Sequence, residues 1–213
     1  MDLITPFLKI FFRLIYNQFA WIYDFVSAFV SGGRWKAWIL SAERFIQGPD
    51  VLELGFGPGY LLIHLARSGL NVVGMDTSRQ MVHLANLKLS KQKCPARLIR
   101  GQGESPPFRQ GFFNCVVATF PTAYILQPAT LENIYHILAP GGCFVILLSA
   151  WIIDPSLYGR SLAWLFRVTG QVLPRQFEMQ KLLLPFQKAG FDPRSEWVTL
   201  PGSSLLFVIA VKK

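Results

Sequence analysis

From residue 50 onward, short apolar runs alternate with stretches whose apolar positions recur every three to four residues, which is the pattern of strands interleaved with amphipathic helices. Strands are predicted at about 50–55, 71–76, 97–101, 112–119 and 142–149, and helices over Tyr60–Ser68, Ser78–Lys91 and Ala129–Leu138. Runs such as Asn71-Val-Val-Gly-Met-Asp76 are apolar on both faces, as strands of a parallel sheet covered by helices must be. The tail predicts a helix near 176–189, then Trp197–Leu200 and Leu205–Val211 separated by Pro201-Gly202-Ser203-Ser204, a closing antiparallel hairpin.

Ahead of residue 48 the pattern changes. Thr5-Pro6 supplies a cap and a first helical residue, and the chain then runs apolar to about Val30. At about 100° per residue, Lys9, Arg13, Asn17 and Asp24 fall on one narrow stripe, leaving more apolar circumference than docking on one domain requires. The three charged residues leave no uncharged run long enough to span a bilayer, so this helix is expected to lie on an anionic membrane surface or lid a site. A second helix over Arg34–Ile46 places Trp35, Trp38, Ile39, Ala42, Phe45 and Ile46 on one face, which should dock on the sheet. The expected division is a helical leader or lid at 1–47 and one domain at 48–213. Inside that domain an aromatic and basic insertion at about 151–175 carries Tyr158, Arg160, Trp164, Phe166, Arg167 and Arg175.

Composition narrows the partners. Only 15% of the 213 residues are charged and mean hydropathy is +0.35, so the surface is short of charge. The charge present is lopsided, 21 Lys and Arg against 12 Asp and Glu, and a net +9 favours anionic partners such as lipid headgroups, RNA or acidic metabolites. Cys94, Cys115 and Cys143 form no C-x-x-C pair, which supports neither a disulfide framework nor a zinc site. The N-terminal stretch does not read as a signal peptide, and a cytoplasmic setting follows as the expectation, with peripheral contact on the inner membrane surface through the leader. Residues 133–153 lack charge, but Pro140-Gly141-Gly142 divides them into a helix and a strand rather than one span.

The chemistry is concentrated where strands end. Val51-Leu-Glu-Leu-Gly-Phe-Gly-Pro-Gly-Tyr60 breaks a strand with glycines at 55, 57 and 59, which permit a tight turn and close backbone approach to a ligand. The dinucleotide fingerprint needs its third glycine where this chain has Tyr60, so NAD is disfavoured. Glu53 sits in a strand that should be buried and therefore needs strong partners, the glycine-loop amides together with a cationic ligand amine. Asp76 ends the second strand 21 residues after Gly55, close to the spacing at which an acid reaches a ribose diol.

With Glu53 and Asp76, the glycine stretch resembles motif I of the class I S-adenosylmethionine-dependent methyltransferases. Further matches run Asp76-Thr77-Ser78-Arg79-Gln80-Met81 through Ala85, then Gly101-Gln102-Gly103-Glu104-Ser105-Pro106-Pro107-Phe108, and Ala139-Pro140-Gly141-Gly142. The resemblance implies a Rossmann-like α/β fold with a seven-stranded, mostly parallel sheet, helices on both faces, the closing hairpin and an N-terminal helical extension. It implies S-adenosylmethionine as cofactor, contacted by Glu53, Gly55, Phe56, Gly57, Gly59, Asp76, Thr77, Met81, Gln102, Gly103 and Thr119. Gln102 stands where the family usually has an acid, and its amide oxygen can still accept from an adenine amino group. Glu104 is expected in solvent, and Asn114 is read as structural. Tyr23-Asp24, Ser31-Gly32-Gly33 and Trp38 resemble the leader of the quinone and phospholipid methyltransferases.

No base or metal site is evident. His64, His83 and His136 all fall in predicted helices, and no paired-carboxylate or H-x-E pattern occurs. In-line transfer to an already nucleophilic atom needs mainly alignment, so Phe120, Tyr124 and Tyr23 are the candidates for the wall beside the methyl group. The leading expectation is methylation of a small lipophilic acceptor, a quinone-like ring or lipid headgroup. An RNA methyltransferase has the charge but no stacking motif, which makes nucleic acid a weaker partner. The remaining class is a catalytically silent, membrane-bound protein that keeps the fold.

Overall fold

A computed structural model describes residues 31–153 and 179–213. The apolar leader with Tyr23, Lys9 and Arg13, and the aromatic and basic stretch beyond Ile153, lie outside the described residues.

The first complete element of the described part is a short helix α1 (Trp35–Leu40) that tightens into a 3₁₀ turn (Ser41–Phe45), where one continuous helix was expected. The predicted face docks nevertheless: Trp38 and Ala42 are fully buried against the sheet. Strands and helices then alternate as β1 (Asp50–Leu54), α2 (Tyr60–Arg67), β2 (Asn71–Asp76), α3 (Arg79–Gln92), β3 (Arg97–Arg100) and β4 (Phe113–Thr119). A 3₁₀ turn (Ala123–Leu126) leads into α4 (Pro128–Ile137) and β5 (Leu138–Ile152). The described part closes with α5 (Met179–Lys188), β6 (Phe191–Leu200) and β7 (Ser203–Lys212).

The seven strands form one sheet in the order β3-β2-β1-β4-β5-β7-β6, parallel except where β7 pairs antiparallel with β5 and β6. Helices α1, α2 and α3 cover one face and α4 and α5 the other, so two apolar layers flank the sheet. The order reverses between β1 and β4, and open α/β sheets bind ligands at such a reversal, beyond the carboxyl ends of the strands.

Two strands run longer than the sequence pattern suggests. β5 is already paired at Leu138, opposite Phe113; Ala139-Pro140-Gly141-Gly142 then loops out, and pairing resumes at Cys143 opposite Cys115. β6 begins at Phe191 and takes in Pro193, which an edge strand tolerates because its outward N–H needs no ladder partner. The hairpin turn contracts to Pro201-Gly202, since Leu200 pairs with Ser203. At the far end of β7, Lys212 donates from Nζ to the carbonyls of Tyr135 and Leu138, both at 2.7 Å, and so caps the C-terminus of α4.

Candidate active site

The ends of β1, β2, β3 and β4 converge on one cavity of about 470 Å³, the size of a cofactor or drug-sized ligand site. Its lining includes Glu53, Gly55, Phe56, Gly57, Asp76, Thr77, Gly103, Thr119, Phe120 and Tyr124 from the predicted set. Trp35 and Ile39 of α1, Tyr60 and Glu104 also line it.

The glycine turn is shaped by backbone conformation. Gly55, Gly57 and Gly59 all have positive φ, +68°, +52° and +78°, a region in which any other residue would be strained. Gly55 and Gly57 face the cavity, whereas Gly59 begins α2 and lies so near α3 that a Cβ would stand 3.1 Å from the Ala85 Cβ. The third glycine therefore serves helix approach. Phe56, 4% exposed, belongs to the core cluster beneath the cavity as well as to its lining.

Asp76 ties the second strand to this turn. Its Oδ2 accepts from the Gly57 N–H at 3.0 Å and its Oδ1 from the Ser78 N–H at 2.8 Å, while the Ser78 hydroxyl caps α3 by accepting from Met81. A carboxylate offers about four lone-pair sites, so one group can both hold a loop and accept from a diol.

Glu53 differs. It is 2% exposed, and burial first, then repulsion from Asp76, pushes its carboxyl well above the usual carboxylate range, offset in part by the backbone N–H of Leu62. The glycine-loop amides do not supply the expected partner, and among the described residues Oε2 has no hydrogen-bond partner. A buried carboxylate oxygen without a donor, on the wall of a cavity, suits a cationic group brought by a ligand. The methionyl ammonium of S-adenosylmethionine has that charge, so the donor set fits this cofactor.

Other predicted contacts fall elsewhere. Met81 is fully buried and outside the cavity lining; its thioether packs in the interior, because the periodicity that fits a family motif is also that of a core-facing helix residue. Gln102 is exposed and lines a separate shallow recess with Thr77, Arg100 and Gly101. Glu104, expected in solvent, is half-buried on the cavity wall, and its backbone carbonyl accepts from Asn133 Nδ2 at 2.6 Å. Asn114 holds the Asp50 N–H at 3.1 Å through its Oδ1.

The apolar part of the lining joins distant segments. Phe120 stacks on Trp35 with centroids 4.6 Å apart and planes at 23°, and lies 6.3 Å from Trp38. Its φ of +49° is strained for an aromatic residue, and its N–H is fixed to the Leu147 carbonyl at 2.8 Å. Tyr60 sits under Lys88 and Lys36, whose ammonium groups lie 4.1 and 5.7 Å from its ring centroid. Trp35, Ile39, Tyr60 and Glu104 were not singled out for the site. The apolar ones are indistinguishable from core residues by periodicity, and only the docking of α1 brings Trp35 and Ile39 to the strand ends.

Histidine is absent from the cavity lining. His64 pairs with Glu43 at 2.7 Å between α2 and the first 3₁₀ turn, His83 and His136 are exposed, and the described residues contain no cluster of His, Cys, Asp or Glu arranged for a metal. Among them no helix is long and apolar enough to cross a membrane.

Comparison with known proteins agrees with this geometry. Residues 51–142 match the methyltransferase-domain family. An uncharacterized methyltransferase of Synechocystis is 31% identical over 159 residues, 68% of this chain and 73% of that protein. A ubiquinone/menaquinone biosynthesis C-methyltransferase of Geotalea uraniireducens is 28% identical over 134 residues, and the chain spans only 57% of its length. In three dimensions, a methyltransferase dependent on S-adenosylmethionine from Aquifex aeolicus superposes with a TM-score of 0.61 at 16% identity, covering 84% of this chain and 89% of that one. Glycine turn, buried acids, sheet order and relatives together place the chain in the class I S-adenosylmethionine-dependent methyltransferases.

Proposed function

We propose that the enzyme methylates a small lipophilic acceptor, a quinone-like ring or an amphiphile with a methylatable headgroup. The observation that carries this is the stacked Trp35–Phe120 pair, which with Ile39 and Pro121 gives the cofactor cavity an apolar wall. A polar nucleobase reader would instead need convergent hydrogen-bond donors and acceptors there. The relationship to the quinone C-methyltransferases supports the same reading.

In this reading Glu53 holds the methionyl amine, Asp76 the ribose hydroxyls, and the Gly55–Gly57 backbone approaches the methionyl chain. When bound, the cofactor supplies an electrophilic methyl group on a sulfonium. The chain's residues orient and exclude water. Phe120, pinned at its N–H and stacked on Trp35, keeps a flat apolar surface in place so that an acceptor meets the cavity in a fixed attitude, and alignment of this kind can account for about 7–11 kcal/mol of a barrier. A nucleophilic ring carbon or an amine needs no strong base, consistent with a lining whose ionisable groups are three carboxylates and two phenols. The leader at 1–30 would bring such an acceptor from an anionic bilayer.

Incubation with cofactor radiolabelled in the methyl group, followed by partition of the products, tests the proposal. Label in the organic-extractable fraction is the expected result. Label in RNA, or in neither fraction despite cofactor binding, would replace it with the nucleic-acid or the silent reading.

A further inference from the structure

Tyr124 and Gly103 meet across the cavity from loops that follow different strands. A Cβ built on Gly103 would stand 2.7 Å from Tyr124 Cε2, closer than a carbon atom is tolerated, and 3.2 Å from its hydroxyl oxygen, a tight contact. The same hydroxyl oxygen lies 3.9 Å from the Cβ position of Gly55. The phenol thus bridges the glycine turn after β1 and the loop after β3, and both belong to the cofactor half of the cavity. The sequence placed Tyr124 with Phe120 beside the methyl group; the geometry places it against the adenosyl loops.

Its seat is rigid. Tyr124 belongs to the 3₁₀ turn Ala123–Leu126, whose Ile125 is fully buried. Ile125 donates to the Thr122 carbonyl at 3.2 Å and Gln127 to the Tyr124 carbonyl at 3.0 Å, just before Pro128 starts α4. Burial, with Glu104 and Asp76 nearby, raises the phenol's pKa, so it stays a neutral hydroxyl through the physiological range. The turn that carries it continues directly from Thr119, Phe120 and Pro121, the segment that forms part of the apolar wall. A ring that only filled the core would not need to project between two glycines on a cavity wall.

We propose that Tyr124 is a positioning residue for the cofactor: its ring takes the volume a side chain at position 103 would fill and forms one wall of the adenosyl subsite. This rests on the cofactor assignment and deepens it. Gly103 and Tyr124 then act as one unit on the cofactor side of the cavity.

A double-mutant cycle read by calorimetric titration with S-adenosylhomocysteine tests this without any acceptor. Tyr124→Ala should weaken binding about tenfold, from loss of an aromatic wall, while Tyr124→Phe, which keeps the ring, should stay close to wild type. Gly103→Ala in the wild-type background should also weaken binding, because the new methyl group displaces the ring. In the Tyr124→Ala background the same substitution should cost little or recover affinity, giving a coupling of roughly tenfold. Circular dichroism of each variant without ligand distinguishes displacement from unfolding, and the double variant, which relieves the crowding, carries the test if Gly103→Ala alone does not fold. Additive effects, or a Tyr124→Ala protein that binds like wild type and only turns over slowly, would overturn the coupling and return Tyr124 to the acceptor wall. Failure of the wild-type protein to bind would instead overturn the cofactor assignment, and this inference with it.

Discussion

The two halves of the cavity are built by different means. The half proposed for the cofactor uses backbone and buried charge: Gly55 and Gly57 with positive φ, Asp76 clasping the Gly57 and Ser78 amides, and Glu53 with one oxygen unpaired among the described residues. The apolar half uses side-chain shape, with Trp35 and Phe120 stacked across 85 positions of sequence and Ile39 and Pro121 beside them. A site for a fixed cationic ligand must set hydrogen bonds and charges to within a few tenths of an ångström, which restricts residue type and spacing. An apolar wall asks only for surface at the right place, and many sequences supply it.

The largest expected departure from wild type is Asp76→Ala. It removes the acceptor that holds the glycine turn as well as any diol contact, so cofactor affinity should fall by about 1–3 kcal/mol and the melting temperature should fall too. Titration and thermal melting would check both. Loss of affinity with unchanged stability would mean that Asp76 serves the ligand and not the turn.

Glu53→Gln should pull binding and stability in opposite directions. A neutral amide cannot pair with an ammonium group at full strength, so affinity should drop by about 1.5–3 kcal/mol. Without cofactor, the carboxyl's folded pKa lies well above its unfolded value, so the contribution of Glu53 to stability is greatest at acid pH and declines as pH rises from about 4.5 through the raised pKa. Glutamine removes that decline, and the cofactor-free variant should melt higher than wild type at neutral pH. Cofactor binding should release a proton below the raised pKa and tighten as pH increases. A variant that melts lower would show Glu53 to be a structural anchor.

Phe120→Gly probes the other half. Glycine accepts the φ of +49° and relieves backbone strain, but the stack on Trp35 is lost. Turnover with a lipophilic acceptor should fall about tenfold through poorer alignment, with cofactor affinity nearly unchanged. Equal losses in both would merge the two halves into one. The smallest effect belongs to His64→Ala, which breaks the Glu43–His64 pair behind α1. Both partners are about two-fifths exposed, 38% and 43%, so about 0–1 kcal/mol of stability is expected and no change in either half.

The same contrast explains what was legible in the sequence. Glu53, Gly55, Gly57 and Asp76 lie within 24 residues, and their spacing follows from strand–turn–helix geometry, so reading the local pattern sufficed to bring them to one cavity, while Gly59 serves the helix that follows. The sheet, including its antiparallel closing strand, followed from the alternation of elements. What escaped depends on tertiary packing. Nothing local marks Trp35 as a cavity residue rather than a core residue until α1 docks. Tyr124 reads as a neighbour of Phe120, yet the 3₁₀ turn redirects it toward Gly103. Met81 matched a family motif, but its helix turns it inward, and Glu104 faces the cavity because its loop is tied to Asn133.

The central claim is that two buried acids and a glycine turn form a site for S-adenosylmethionine. It is tested most directly by titrating the purified wild-type protein with S-adenosylmethionine, its demethylated product and NAD in parallel. One molecule of either sulfur nucleoside should bind per chain, with affinity that Asp76→Ala and Glu53→Gln both reduce and with no comparable binding of NAD. Absence of binding, or preference for NAD, would contradict the account.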